Sequence, residues 1–488
     1  MLSVGKIFAG GGWRYLIDAV SGGADDYYLA DVARGEAPGR WAGRAASPEL
    51  GLAGKVTPEQ MERVYGLLLH PTELVELGRP PSVFRPLAER IEAGRAAHQA
   101  KVRRDWVTRE AGLVTEGLGS VELEAEEVVY RAQAESDWTE REALLRRRGE
   151  RRSVAGFDLT FSPPKSVSVL WAAADETGRQ AIWDAHHAGV RAGLAYLERE
   201  AAWSRAGHSG IRSVDTTGWV VASFDHRMSR SGDVQIHTHN AVLNRVRCSD
   251  GAWRSLDARA IYRVAASAGA LYDRVREAAL EDSLGVRHEV RKEGGAREIV
   301  GVPEEVCRLF STRRGQVTAR VGEMAEAYET SHGHAPSDWL RSQMSAWATL
   351  QTRQRKDGAE TTEEALARWS AETKQRLGTT LAEVWLAAVD NRLFHDAEPE
   401  PTPAVDDDGV VSSALIELEE SHSTWTRYDL ARVVTRQLAV TARTDADALL
   451  ARVDALVDGA IESRARELGV VGLSLPESFC VPERLRRA

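Results

Sequence analysis

The chain has 488 residues, 43% of them hydrophobic and 28% charged, with a net charge of −10. That composition supplies core material for two to four domains and excludes global disorder, and without an apolar run of about 18 residues a membrane-spanning helix is excluded too. Cys248, Cys307 and Cys480 lie far apart with no CxxC, which excludes a disulfide framework and a thiolate metal site and fits a reducing cytoplasm.

The N-terminus, MLSVGKIFAGGGWRYL, is too short and polar for a secretory signal. Gly10-Gly11-Gly12 is no dinucleotide fingerprint, because no strand is expected before it and the spacing is wrong. Helices are predicted over 58–69 and 82–104. Residues 105–152 then run from an acidic patch (Glu122, Glu124, Glu126, Glu127) to a basic one (Arg146, Arg147, Arg148, Arg151, Arg152), the pattern of a solvated helical insertion. Phe157-Asp158-Leu159-Thr160-Phe161 alternates with period two and stops at Pro163-Pro164, predicting a short half-buried strand. A helix is predicted over 176–200. Strands follow over 219–227 and 234–246 around the turn MSRSGD, and then a helix over 263–284 closed by Gly285. Beyond 300 the pattern is helical, interrupted by an acidic, proline-rich linker at 396–409 and resumed over 410–475. There is no GxxxxGK[ST], hence no ATP-cradling loop in this chain.

Charge is unevenly placed. Residues 1–300 carry 41 basic and 42 acidic side chains, so most of the excess acid lies beyond them and a local basic groove is permitted.

The residue types that carry chemistry gather on the strands. His237 and His239 alternate to one face of a strand, and a hairpin centred near Ser231-Gly232 sets His226 opposite His237. Three imidazoles on one face suit a divalent cation with open positions for water or substrate oxygens. Asp158 projects from the non-core side of its strand, where a carboxylate can orient an imidazole or take a proton. Tyr15, Tyr27 and Tyr28 are candidate nucleophiles, and composition does not select among them. Lys165, Arg227, Arg230, Arg245 and Arg254 flank the motif strands and could pair with phosphates, and Trp219 and Trp253 could stack on bases.

A tyrosine-bearing N-terminus, FDLTFSPPKSVSVLW at 157–171, TTGWVVASFDHRMSR at 216–230 and HTHNAVLNRV at 237–246 follow one another in the order seen in conjugative relaxases. Over most of residues 1–300 the chain resembles the MobF-type relaxases (TrwC/TraI-like), which are HUH endonucleases. It departs from them at Thr238, where the motif name calls for a hydrophobe although relaxases of this type share the threonine. It departs again in the charged stretch of about 70–150 and at Arg14-Tyr15, where a tyrosine pair is frequent. The resemblance implies an α+β fold, an antiparallel sheet palm flanked by helices, with a relaxase domain over 1–300 and a helical extension over 301–395. It also implies that 410–488 is the helical start of a truncated helicase-associated region.

For activity, the resemblance implies site- and strand-specific nicking of single-stranded DNA beside a hairpin at a transfer origin. Tyr15 would attack, leaving a 5′-phosphotyrosine and a free 3′-hydroxyl. Tyr27 and Tyr28 would serve a later strand transfer, with Asp158 as base or orienting group. His226, His237 and His239 would hold the metal: Mn, Zn or Ni by ligand type, Mg by availability. Accessory transfer proteins and a coupling protein are the implied partners, and the bacterial cytoplasm the implied compartment. A three-histidine hydrolase without a covalent step, or a non-catalytic DNA-binding module, are the alternatives.

Overall fold

The computed structural model describes residues 1–17, 38–80, 87–148, 152–229, 231–291, 296–351, 360–389, 406–439 and 444–464. Among the described residues no helix is long and apolar enough to cross a membrane. Two compact units separate, residues 80–154 and the remainder.

The larger unit is built on a five-stranded sheet. Its strands are β1 (Leu2–Phe8), β2 (Arg40–Ala42), β3 (Val154–Phe161), β4 (Val221–Met228) and β5 (Val234–Leu243), in the order β1-β3-β5-β4-β2. β5 pairs antiparallel with β3 and β4, and β2 with β4. A strand does precede Gly10-Gly11-Gly12, contrary to expectation. Gly5 and Lys6 weaken its local signal, and pairing beside β3 supplies what propensity lacks.

One sheet face carries Ala222, Phe224, Ala241 and Leu243, which join Ile7, Trp13, Leu16, Trp41 and Tyr65 in a core built from the N-terminal segment. The other is covered by the helices Glu176–Ala201 and Ala258–Leu284. They meet where Gly189 and Gly193 leave room. A Cβ at 189 would sit 2.7 Å from the Tyr272 carbonyl oxygen, and one at 193 would sit 2.8 Å from the Phe161 ring. Asp257 caps the second helix, and Gly285, at φ 67°, ends it in the left-handed conformation that favours glycine.

No break in packing falls at residue 300. Val167, Leu170 and Trp171 from the helix Lys165–Ala173 share one core with Val234, Ile236, Phe310, Trp369, Leu381 and Val384. Asp406 caps the helix Asp407–Ser421, so the last residues of the stretch read as linker are helical; 396–405 lie outside the described residues. Two more helices, Arg427–Gln437 and Ala446–Arg464, follow.

The smaller unit is a pair of helices, Leu87–Thr115 and Ser120–Arg148. Ion pairs Arg95–Glu135 and Arg109–Glu126 set them antiparallel, with Trp106 and Trp138 buried. Most other side chains of the pair face solvent.

Candidate active site

Four segments deliver the site. Pairing of β4 with β5 sets His226 opposite His237 and Phe224 opposite His239, and pairing of β3 with β5 sets Thr160 opposite His239 and Asp158 opposite Ala241. Directly paired residues share a face, so Asp158, Thr160, His226, His237 and His239 stand together at the polar end of the N-terminal core. The short helix Arg14–Ile17, anchored by buried Trp13, Leu16 and Ile17, brings Tyr15 over them.

The contacts are continuous. Tyr15 Oη donates to Asp158 Oδ2 at 2.7 Å. His239 Nδ1 lies 2.8 Å from the same oxygen and 3.0 Å from Oδ1, and Thr160 Oγ1 donates to Oδ1 at 3.0 Å. The Tyr15 and His239 rings meet edge-on, 6.0 Å between centroids. The three imidazole centroids are 5.0–5.4 Å apart.

Burial alone would raise the Asp158 pKa. The charge and hydrogen bond of His239, with the hydrogen bonds from Tyr15 and Thr160, outweigh it and hold the carboxyl below its ordinary value. His237 is pushed well below its ordinary value, by burial first and then by the neighbouring His239 and His226. A neutral imidazole is the form that ligates metal.

The donor set fits a divalent cation in chemistry. His237 Nδ1 bonds the Gln235 carbonyl at 2.8 Å and His239 Nδ1 bonds Asp158, which leaves Nε2 of each as the lone-pair nitrogen. Among the described residues, no group of three or more His, Cys, Asp or Glu side chains is set up to hold an ion as it stands. The His226 and His237 rings stack at an interplanar angle of 26°, and His239 stands edge-on to both.

Other residues singled out in the sequence are placed differently. Lys165 Nζ donates to the Val234 carbonyl at 2.8 Å, and burial pushes its pKa down to about 8. Arg227 donates to the Thr362 hydroxyl, and Arg254 forms a double ion pair with Asp250 at 2.7 and 2.8 Å. Arg245 is buried and donates to the carbonyls of Asn244 and Arg79. Trp219 is 0% exposed within a continuously buried run with Val220, Val221 and Ala222, so it is core and offers no face to a base. Trp253 lines an open cleft of about 440 Å³ with Arg79, Arg205, Arg245 and Arg254. Tyr27, Tyr28 and Arg230 lie outside the described residues.

Sequence reasoning missed the groups that hold the histidine hairpin. Trp369 Nε1 donates to the Gly232 carbonyl at 2.9 Å, and Asp233 accepts from the Thr312 amide and hydroxyl. No local pattern announces contacts 79 and 137 residues apart in sequence.

The sequence profile of the TrwC relaxase family matches residues 9–376. The chain belongs to that family. Two curated relatives, each a multifunctional conjugation protein TraI, come from Escherichia coli and its strain K12. They are 32% identical over 185 residues and 33% over 187. These alignments cover 36% of this chain, which spans 10% of either relative's length. Among solved structures, the copper-bound conjugative relaxase TrwC in complex with oriT DNA is 24% identical at a TM-score of 0.51, and another metal-bound TrwC complex is 24% identical at 0.50. Each covers 78% of this chain and all of the other, a likeness of fold. The TrwC relaxase family match runs past residue 300, in line with the shared core there.

Proposed function

We propose that this chain nicks and rejoins single-stranded DNA at a transfer origin through a covalent tyrosine intermediate. The observation that carries the reading is the unbroken line from Tyr15 Oη through Asp158 to His239 Nδ1. A tyrosine nucleophile needs both a group to orient it and a means to lose its proton, and the three-residue line supplies the first directly.

Tyr15 Oη attacks the phosphorus, the Oη–P bond forms, and the P–O3′ bond breaks, giving a 5′-phosphotyrosine and a free 3′-hydroxyl. The phenolic proton moves onto Asp158 Oδ2 and is passed on to the departing 3′-oxygen, which leaves Asp158 a carboxylate again. Asp158 is held acidic while a phenol titrates near 10, so at rest its chief work is orientation: it keeps Tyr15 and His239 in one frame. His226, His237 and His239 would hold a divalent cation, which when bound offsets charge developing on the phosphate oxygens. Rejoining reverses the attack and conserves the phosphodiester energy, so no nucleotide cofactor is required. The TraI kinship makes accessory transfer and coupling proteins the natural partners.

The test is incubation with Mn and labelled single-stranded oligonucleotides tiled across the neighbouring transfer region, followed by a denaturing gel. Tyr15→Phe eliminates the protein–DNA adduct, while the Tyr27→Phe, Tyr28→Phe double variant still forms it. An adduct that survives the first and vanishes in the second reverses the roles of the tyrosines.

A further inference from the structure

The sheet face away from the nucleophile carries a polar chain that the proposed reaction does not use. Thr238 Oγ1 lies 2.6 Å from Asp225 Oδ1 and 2.9 Å from His186 Nε2, and His186 Nδ1 lies 2.9 Å from the Tyr272 hydroxyl. Asp225 Oδ2 meets His187 Nε2 at 2.9 Å and Arg40 Nη2 at 3.2 Å. His186 and Tyr272 are 0% exposed and Thr238 is 1% exposed.

The protons in this chain have one consistent direction. Arg40 and His187 both donate to Asp225, so it is a carboxylate and accepts from Thr238. Thr238 has a single hydroxyl proton, already given to Asp225, so His186 Nε2 must donate to the threonine oxygen. His186 Nδ1 is then the acceptor and takes the Tyr272 proton. Each hydroxyl and ring nitrogen from Asp225 to Tyr272 has a partner, and Asp225 Oδ2 accepts twice, so the network is satisfied and rigid rather than costly.

Its position matters more than its existence. Asp225 immediately precedes His226 and Thr238 separates His237 from His239, so one network grips both strands one residue from each imidazole. It also ties them to the helix Glu176–Ala201 through His186. We propose that Thr238 is a positioning residue whose hydroxyl, held between Asp225 and His186, sets the aim of the three histidines. The inference rests on the reading of those histidines as metal ligands. It also accounts for a hydroxyl at the motif's middle position, since a purely apolar side chain would leave Asp225 Oδ1 and His186 Nε2 without partners.

The experiment measures Mn binding to the full chain by electron paramagnetic resonance, with thermal unfolding alongside. Thr238→Val weakens Mn affinity roughly 10–100-fold, the usual effect of removing a group that orients metal ligands, while Thr238→Ser binds close to wild type. Wild-type affinity in a folded Thr238→Val overturns the proposal. So does a Thr238→Ser as weak as Thr238→Val, which would assign the effect to the methyl group. If Thr238→Val does not fold, Tyr272→Phe decides: weakened Mn binding supports the chain of bonds, and wild-type binding overturns it. A wild-type protein that binds no Mn, or a His237→Ala that binds it normally, removes the metal reading itself and the inference with it.

Discussion

Replacing Asp158 by asparagine asks the site its sharpest question. The carboxylate accepts from three donors on two oxygens: Tyr15 Oη at 2.7 Å, His239 Nδ1 at 2.8 Å and Thr160 Oγ1 at 3.0 Å. Asparagine has nearly the same shape but one acceptor oxygen, so at least one donor must face an amide N–H. Loss of one charge-assisted hydrogen bond is worth roughly 1.5–3 kcal/mol, and at about 1.4 kcal/mol per decade that is roughly 10–150-fold in rate. Asp158→Ala removes orientation and proton acceptance together and should cost roughly 10²–10⁴-fold. The assay is single-turnover adduct formation on a labelled oligonucleotide, set beside the dissociation constant of the metal-free complex. The reasoning predicts that the rate falls while DNA binding holds. An Asp158→Asn rate equal to wild type, or equal losses in rate and binding, refutes it.

His237→Ala and His239→Ala should each abolish Mn-dependent cleavage with circular dichroism unchanged; cleavage retained with metal still bound refutes the ligand assignment. Lys165 has a folded pKa of about 8 against an ordinary 10.5, lowered by burial first. The unfolded chain therefore binds the extra proton between those values, and stability rises with pH across that window by about 3 kcal/mol. Lys165→Met should lose that slope in urea titrations at pH 7.5 and 10, and equal slopes in the two proteins count against it. Gly189→Ala places a methyl 2.7 Å from the Tyr272 carbonyl oxygen and should destabilise by roughly 1–3 kcal/mol in the same titration, whereas an unchanged midpoint means the helices part freely.

The strands of the site were legible because alternation is a local signal: Phe157, Leu159 and Phe161 lie on the far face while Asp158 and Thr160 point to the histidines, and His226 pairs with His237. The helix ending at Gly285 was legible for the same reason, since its cap is written in adjacent residues. The strand that carries Asp158 is not half-buried as expected, since Asp158 is only 6% exposed under the N-terminal core, and a register shift between His226 and Met228 intervenes before the turn. What could not be read was partnership across long separations. Tyr15 and Asp158 are 143 residues apart, and nothing near Tyr15 distinguishes a nucleophile from packing. His186 reads as one more residue of a helix until the fold sets it against Thr238. The basic residues misled in the opposite sense: clustering in sequence suggested a phosphate surface, while Lys165 and Arg245 turn inward to backbone carbonyls. A count of cations says nothing about which carbonyls the fold leaves in want of a donor.

The histidine hairpin is held on three sides by groups that come from different parts of the chain. Asp158 and Thr160 hold His239 from β3, and His186 and Asp225 hold Thr238 on the opposite face. Trp369 and Thr312 fasten the turn at Gly232 and Asp233. A flexible hairpin would have to be ordered each time a cation and a phosphodiester arrived, and that ordering would be subtracted from the stabilisation of the transition state. Here the ordering is done on folding. It is drawn in part from helices beyond residue 300, sharing a core with the segment after β3. The helical extension is therefore a structural component of the site, because its tryptophan and threonine complete the frame in which three imidazoles and a tyrosine meet.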